Sequence, residues 1–374
     1  MTTSRFDVIV AGLGAMGSAV TLELARRGLT VAGFDRYSPP HTLGSSYGGS
    51  RIIREAYFEH PLYVPLVQRA YEAWSALEQQ CGEPLYLRTG GLMIGAPGCD
   101  LVEGSLASAR LHGLAHEVLA AASIRARYPA LHAADEMVGV FEPRAGILFP
   151  ERCIAAQMAL AATAGAALHR DEPIVRWEPE GDGVRVFTAQ RELQAKALVV
   201  ATGAWLEQLV DAPYLPLTIE RQVLYWFKPR SNAAAFLPER CPIHLWQFER
   251  GEFFYGFPDL GQGIKLGRHH HGATTTADTI DRVVGVDEVE DIRMLARRFV
   301  PDAEGELQSS AVCMYTNTPD EHFRIDWLDG RQRVLVVSAC SGHGFKFAPV
   351  IGEIAADLAT NRAPAFNQSL FRLG

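Results

Sequence analysis

Gly12, Gly14 and Gly17, followed by an acid at Asp35, carry the first chemistry legible in this chain. The spacing G-x-G-x-x-G suits a backbone that turns tightly at Gly12, approaches a ligand at Gly14 and lets a helix pack on a strand at Gly17. The unpaired N–H groups of the helix N-terminus would then face a pyrophosphate. The Asp35 carboxylate is placed to accept from ribose hydroxyls and would repel a 2′-phosphate. Glycines also mark ordinary turns, but here a strand, a helix and a terminal acid all fall where dinucleotide binding needs them. NAD and FAD both meet that description, since each presents adenosine, ribose and pyrophosphate.

Other stretches carry weaker signals. Residues 36–60 hold too many breakers for a regular element and run into Arg51-Ile-Ile-Arg54-Glu-Ala-Tyr57. A long loop in a compact domain is usually functional. If residues 51–54 form a helical turn, both guanidiniums share a face near a bound ligand; the alternative is a pair of solvated surface arginines. Ala201-Thr-Gly203 after an apolar run, and Ser341-Gly-His-Gly-Phe-Lys346 after another, are further strand-to-glycine turns. The cysteines, at positions 81, 99, 153, 241, 313 and 340, lack C-x-x-C spacing and read as reduced thiols rather than a disulfide framework or zinc site.

These residues need elements to position them. The unbroken apolar run 6–11 predicts a strand buried on both faces. Met16, Val20 and Leu24 predict a helix ended by Gly28, and residues 31–34 a second strand. An apolar stripe predicts a core helix over 61–81. Residues 84–95 read as a pair of short strands around Gly90-Gly91, 100–127 as surface helices, and 153–164 as a helix after the breakers of 143–150. A hairpin is predicted at 174–188 around Gly181-Asp-Gly183. Strands at 221–227, 244–247, 252–257 and 263–268 predict a mostly antiparallel sheet, whose aromatics wall a pocket or simply fill a core. An amphipathic helix is expected over 287–299, with strands at 310–316 and 323–327. The apolar run 334–340, its glycine turn and a helix through Ile351, Ile354 and Leu358 would return the chain to the first domain.

At 374 residues, two domains are the default. The expected fold is α/β plus α+β: a discontinuous Rossmann-like dinucleotide domain of residues 1–83, 145–218 and 325–374, interleaved with a substrate domain of 84–144 and 219–324 built on a largely antiparallel mixed sheet. A net charge of -8 argues against nucleic-acid or anionic-membrane partners, which need a basic face. With no secretory pattern ahead of the first strand and no apolar run of membrane-spanning length, the expected location is the cytoplasm.

With these pieces in hand, nearly the whole chain resembles the monomeric sarcosine oxidase and N-methyltryptophan oxidase branch of the amine-oxidising flavoproteins, within the D-amino-acid oxidase-like superfamily. The resemblance rests on Gly12 to Gly17 with Asp35, Pro39-Pro-His-Thr, Arg51-Ile-Ile-Arg-x-Ala-Tyr57, Gly256-Phe-Pro, Lys265-Leu-Gly, Ala311-Val-Cys-Met-Tyr-Thr316 with Asp320-Glu-His-Phe323, and Ser341-Gly-His-Gly-Phe-Lys-Phe347. It implies FAD rather than NAD, attached through a thioether from Cys313 to the 8α carbon of the flavin. It also implies contacts to that cofactor from Gly12, Gly14, Met16, Gly17, Asp35, Arg51, Gly342, Gly344 and Lys346. The implied reaction is oxidation of a secondary, N-methyl amino acid such as sarcosine to an imine that hydrolyses, with O2 reduced to hydrogen peroxide, by a monomer.

The same resemblance implies that Arg54 and Lys346 bind the substrate carboxylate, that Lys265 is the cation that helps O2 react, and that Arg51 lies near the flavin ring. His269, Tyr255 and Tyr315 would line the substrate side. Without the motif, Lys265 would read as a strand lysine facing solvent. His269 opens a His269-His-His271 run absent from the family pattern; consecutive strand residues alternate faces, so no metal is expected. Ser46-Tyr47-Gly48 replaces a His-His-Gly pair, and Phe58-Glu-His60 replaces a small, glycine-containing turn. These departures leave open which amine is used: N-methyl, cyclic, glycated or primary. A flavin dehydrogenase that avoids O2 and, from the glycine motif alone, an NAD-dependent dehydrogenase are the rivals.

Overall fold

The computed structural model describes residues 4–211, 215–328 and 330–373. Residues 1–3, at the head of the segment read above for a targeting signal, lie outside them. The helices are α1 (Ala15–Arg26), α2 (Tyr63–Cys81), α3 (Asp100–His112), α4 (Ala121–Arg127), α5 (Pro150–Thr163), α6 (Val286–Phe299) and α7 (Ala348–Ala359). Among the described residues none is long and apolar enough to cross a membrane.

The first sheet is built on the apolar run that opens the chain. Strand Ser4–Ala11 lies parallel between Val31–Phe34 and Glu192–Val200, with Val8 facing both Val31 and Ala197. Its residues Val8 to Ala11 are buried, as the lack of alternation requires of a strand covered on both faces. Val334–Ser338 pairs parallel with Glu192–Val200 on the other side, so the last part of the chain does return to the first sheet. The hairpin Ile174–Glu180 and Gly183–Thr188 extends this sheet through Glu192–Val200, and Ala167–His169 extends it beyond Val31–Phe34. Helices α1 and α7 pack backbone to backbone. A Cβ on Gly352 would lie 2.8 Å from the Ala19 carbonyl carbon, so only glycine permits that approach.

The second sheet, of nine strands, is antiparallel except where Ile243–Glu249 runs parallel to Gly91–Gly95. Thr218–Phe227 pairs with both Leu307–Asn317 and Ile264–His269, and Glu252–Asp259 continues the sheet. The aromatics divide by face: Trp246 and Phe254 are buried in the core beneath α6, while Tyr255, one residue on, points to the opposite side.

Three expectations change. Arg51–Ile53 is a strand, not a helical turn, because it pairs antiparallel with Gly146–Leu148 in a third, three-stranded sheet completed by Tyr86–Arg88. The strands Tyr86–Arg88 and Gly91–Gly95 exist but do not pair with each other; Gly90, at φ +72°, sends the second into the nine-stranded sheet. Within 100–127, Glu117–Ala120 is an edge strand between α3 and α4. It is largely exposed and so lacks the alternation that marks a half-buried strand.

Candidate active site

A cavity of about 410 Å³ runs from the glycine turn after Ser4–Ala11 to the inner face of the nine-stranded sheet. Gly12, Gly14, Ala15, Met16 and Asp35 form one end; Arg51, Arg54, Tyr255, Lys265, His269, Cys313, Tyr315, Gly342, Gly344 and Lys346 line the rest. The sequence-predicted residues therefore meet around one space, although they come from all three sheets and the chain's last glycine turn. Gly17 is set back from the wall. A Cβ there would lie 1.7 Å from the Gly12 carbonyl oxygen, so its absence lets α1 seat against the turn.

The dinucleotide end fits a bound pyrophosphate and ribose. Gly12 has φ +89°, and a Cβ on it would come within 2.5 Å of the Ala201 carbonyl oxygen, which ties the first glycine turn to the second. A Cβ on Gly14 would meet nothing nearer than Ser46 Oγ at 3.9 Å, so this backbone is open to the cavity at the start of α1. Asp35 is nearly buried; its carboxylate accepts from Leu13 N (2.6 Å) and Tyr37 N (2.9 Å), which aims the remaining lone pairs. Thr202 Oγ1 and Thr316 Oγ1, on residues of the cavity wall, have no hydrogen-bond partner among the described residues. Buried hydroxyls without partners are uncommon and suit a polar ligand.

The middle of the cavity gathers cations around a sulfur. Arg51 donates to Ser45 O (2.7 Å) and Ser50 O (2.8 Å), with Nη2 3.8 Å from the buried Cys313 Sγ. Lys265 is 2% exposed, which removes the solvent-facing reading. Its Nζ donates to Gly48 O (2.8 Å), Ser50 O and Ser50 Oγ (both 3.0 Å). Burial, and then Arg51, push its pKa well down, but three acceptors around one nitrogen match the three hydrogens of an ammonium. The Tyr47 hydroxyl donates to Val312 O, beside Cys313, from the position where the family pattern has histidine.

The far end holds two more buried cationic side chains, Arg54 and Lys346. Arg54 is 3% exposed, so the solvated-arginine reading fails here too. Its Nη2 donates to both carboxylate oxygens of Glu59, at 2.6 and 2.8 Å, while Nη1 donates to Ala56 O (3.1 Å). Burial opposes the charge on each partner, but their attraction outweighs it: Glu59 sits below and Arg54 above its ordinary value. Lys346 Nζ donates to His343 O (2.7 Å) and Tyr57 Oη (3.4 Å), and burial followed by Arg54 lowers its pKa to about 7. His343 Nε2 lies 3.0 Å from Glu321 O and must donate there, so its Nδ1 accepts from the Tyr57 hydroxyl at 2.6 Å. A chain of donors thus runs from Lys346 through Tyr57 and His343. The core helix α2 also reaches the site, since Trp74 Nε1 donates to Lys346 O (2.9 Å).

His269 ends its strand, with Nδ1 3.1 Å from the Tyr315 hydroxyl. Burial, and next the neighbouring His270, hold its pKa well below the usual imidazole value, so it is neutral. His270 leaves the strand at φ 53° and contacts Glu220, which is why the histidines do not alternate as the sequence reading assumed. Among the described residues no group of three or more His, Cys, Asp or Glu is placed to hold a metal ion. Gly342 brings the last turn against this pair: a Cβ on it would fall 2.5 Å from His269 Cε1 and 2.7 Å from Tyr315 Cε2.

Sequence reasoning did not assign roles to Glu59, Glu142 or Cys340. Glu142, fully buried in Val138–Glu142, accepts from Glu55 N (2.7 Å) and Ala56 N (2.8 Å) and so fixes the loop behind Arg54. Cys340 lines the cavity and accepts from Thr316 N. An acid five residues after Arg54 was the visible trace of the Arg54–Glu59 pair. Glu142 is distant in sequence and left no trace.

A Rossmann-like cradle opening into a cationic, aromatic-walled pocket defines a dinucleotide-dependent oxidoreductase. The chain belongs to the FAD dependent oxidoreductase family, whose model matches residues 7–358. It is 45% identical over 370 residues to a monomeric sarcosine oxidase of Streptomyces avermitilis, covering 98% of this chain and 96% of that protein. It is 35% identical over 372 residues to an N-methyl-L-tryptophan oxidase of Salmonella heidelberg, covering 99% and 98%. NikD, an unusual amino acid oxidase essential for nikkomycin biosynthesis, shares the fold at a TM-score of 0.86 and 22% identity, over 99% of this chain and 98% of that one. The nicotinamide alternative falls with the family assignment.

Proposed function

We propose that this protein is a FAD-dependent oxidase of a secondary, N-methylated amino acid such as sarcosine, forming an imine that water hydrolyses while O2 becomes hydrogen peroxide. The observation that carries the reading is the buried Arg54 guanidinium, whose Nη2 already holds both oxygens of one carboxylate in the cavity that begins at the dinucleotide cradle. Similarity to proteins named for sarcosine and N-methyl-L-tryptophan supports the substrate class. FAD, when bound, supplies the acceptor for the hydride equivalent that leaves the carbon next to nitrogen.

The chain's residues do the rest. Arg54 exchanges the Glu59 carboxylate for that of the substrate, and Lys346 adds a second cationic donor. A substrate amine must be neutral to react; Arg51, Arg54 and Lys265 disfavour its protonated form, and the neutral His269 adds no charge of its own. Tyr255 and Tyr315 exclude water from the reacting carbon, and burial keeps both phenols protonated. Lys265 is a fixed cation where negative charge develops on oxygen. Cys313 is assigned the covalent attachment to FAD, with the Arg51 guanidinium 3.8 Å from its sulfur. Residues 1–83, 145–218 and 325–374 form the cofactor domain, and 84–144 and 219–324 the substrate domain. We read the protein as a cytoplasmic monomer, on the strength of its free cysteines and the relatives' description as monomeric.

The test is acid precipitation of the purified holoenzyme followed by a peroxide assay across N-methyl, cyclic, glycated and primary amino acids. Colour in the pellet and peroxide from N-methyl amino acids are expected. Substrate-driven bleaching of the flavin without peroxide would replace the oxidase by a dehydrogenase, and preference for another amine class would replace the substrate.

A further inference from the structure

The loop that carries Arg54 continues into Phe58, whose ring faces the same cavity. Phe58 lies over the Arg54 guanidinium, with the guanidinium carbon 4.8 Å from the ring centre. On its other side it contacts Phe253 at 5.6 Å between ring centres, and Phe253 in turn contacts His269 at 6.2 Å. Arg54, Phe58 and His269 therefore share one side of the cavity, with Phe253 bracing Phe58 against His269. A carboxylate bound to Arg54 has its α-carbon one bond away, so any α-substituent directed at this wall meets the Phe58 ring.

The ring is not free to swing aside with its backbone. Glu142 holds the N–H groups of Glu55 and Ala56, and Ser108 Oγ of α3 donates to Tyr57 O at 2.5 Å. At Gly104 of the same helix, a Cβ would come within 2.6 Å of Phe58 O and 2.9 Å of its Cα. Helix α3 thus rests directly on the Phe58 backbone.

We infer that Phe58 is a specificity-determining residue that limits the α-carbon of the substrate to hydrogen or a methyl group, making the preferred class N-substituted glycines and alanines rather than N-methyl amino acids with bulky side chains. This rests on the function proposed above. It assigns to one side chain a choice between substrates that the anchor and the cofactor treat alike, and a hydrophobic wall discriminates on size by steric exclusion.

The experiment uses holoenzyme and two readouts. Propanoate and 3-phenylpropanoate, which are acetate bearing an α-methyl and an α-benzyl group, are titrated against the flavin absorbance of the wild type, Phe58→Ala and Phe58→Leu. In parallel, kcat/KM is measured for sarcosine and N-methylphenylalanine. The wild type is expected to bind propanoate more tightly, and Phe58→Ala to shift the 3-phenylpropanoate to propanoate preference by about tenfold or more, with Phe58→Leu between them. The ratio of kcat/KM values should move the same way. Equal binding of the two acids by the wild type, or an unchanged ratio in both variants, would overturn the role of Phe58. Absence of turnover with every N-methyl amino acid would defeat the proposed function instead, and the acid titrations would still decide Phe58. If Phe58→Ala fails to fold, Phe58→Leu carries the test.

Discussion

The Arg54–Glu59 pair makes the anchor self-occupied, so replacing Glu59 by Gln should tighten binding of carboxylate ligands rather than weaken it. Both side chains are largely out of water, at 4% and 13% exposure, and the two contacts are short and charge-assisted. A hydrogen bond to a charged group contributes about 1.5–3 kcal/mol, and Glu59 gives Arg54 two of them. Gln keeps one amide oxygen for Arg54 and loses the charge, so the internal competitor weakens by roughly 1–2 kcal/mol. Because a ligand's apparent affinity scales with the fraction of molecules whose site is free, its Kd should fall by about five- to thirtyfold. The assay is titration of acetate against the flavin absorbance of both holoenzymes. A second readout follows from the same argument: Glu59→Gln leaves a buried guanidinium underpaired, so its Tm should drop and recover with acetate to a greater extent than in the wild type. An unchanged or higher Kd in Glu59→Gln would refute competition and make Glu59 an orienting partner for Arg54.

Further outcomes are expected at other positions. Cys313→Ala should move the flavin from the acid pellet to the supernatant, and retention in the pellet would remove Cys313 from the attachment. In stopped flow, Lys265→Met should slow reoxidation by O2 far more than reduction by substrate; equal slowing would deny Lys265 its place beside oxygen. Lys346 has a pKa of about 7 against an ordinary 10.5, so it is an ammonium below about pH 7 and loses its proton above. An anion binds the ammonium form better and must take up a proton at higher pH, so acetate affinity should weaken as pH rises through 7. In Lys346→Met that dependence should vanish, and its persistence would assign the titration to another group.

What was legible in the sequence was what is local. Gly12, Gly14 and Asp35 lie within one βαβ unit, and their spacing alone yields the cradle. Lys265, His269 and Cys313 cannot be brought together by spacing, because Lys265 pairs opposite Trp226 and Cys313 opposite Gln222 on two strands that share only the strand between them. Resemblance supplied that proximity. The spacing of Arg51 and Arg54 allowed a helical turn, because charged residues three apart suit a helix, while the partner that makes Arg51–Ile53 extended, Gly146–Leu148, sits between prolines and shows no strand pattern. Glu59 was noticed only as a departure from pattern. Its role depends on a loop folding back on Arg54, which Glu142 enforces from the nine-stranded sheet.

The return of the chain's end to its beginning bears on how the protein is made. The βαβ cradle precedes most of its partners along the chain: Val8 pairs with Ala197, half the length of this sequence further on, and Ala19 of α1 meets Gly352 of α7. Until these pairs form, an apolar strand edge and a helix face built for close packing remain uncovered. Contacts so distant along the chain are slow to form and leave intermediates prone to aggregation. Lys346 and Gly342 arrive in the same closing segment that covers this surface. The binding site and the closed first sheet therefore depend on the same segment of chain.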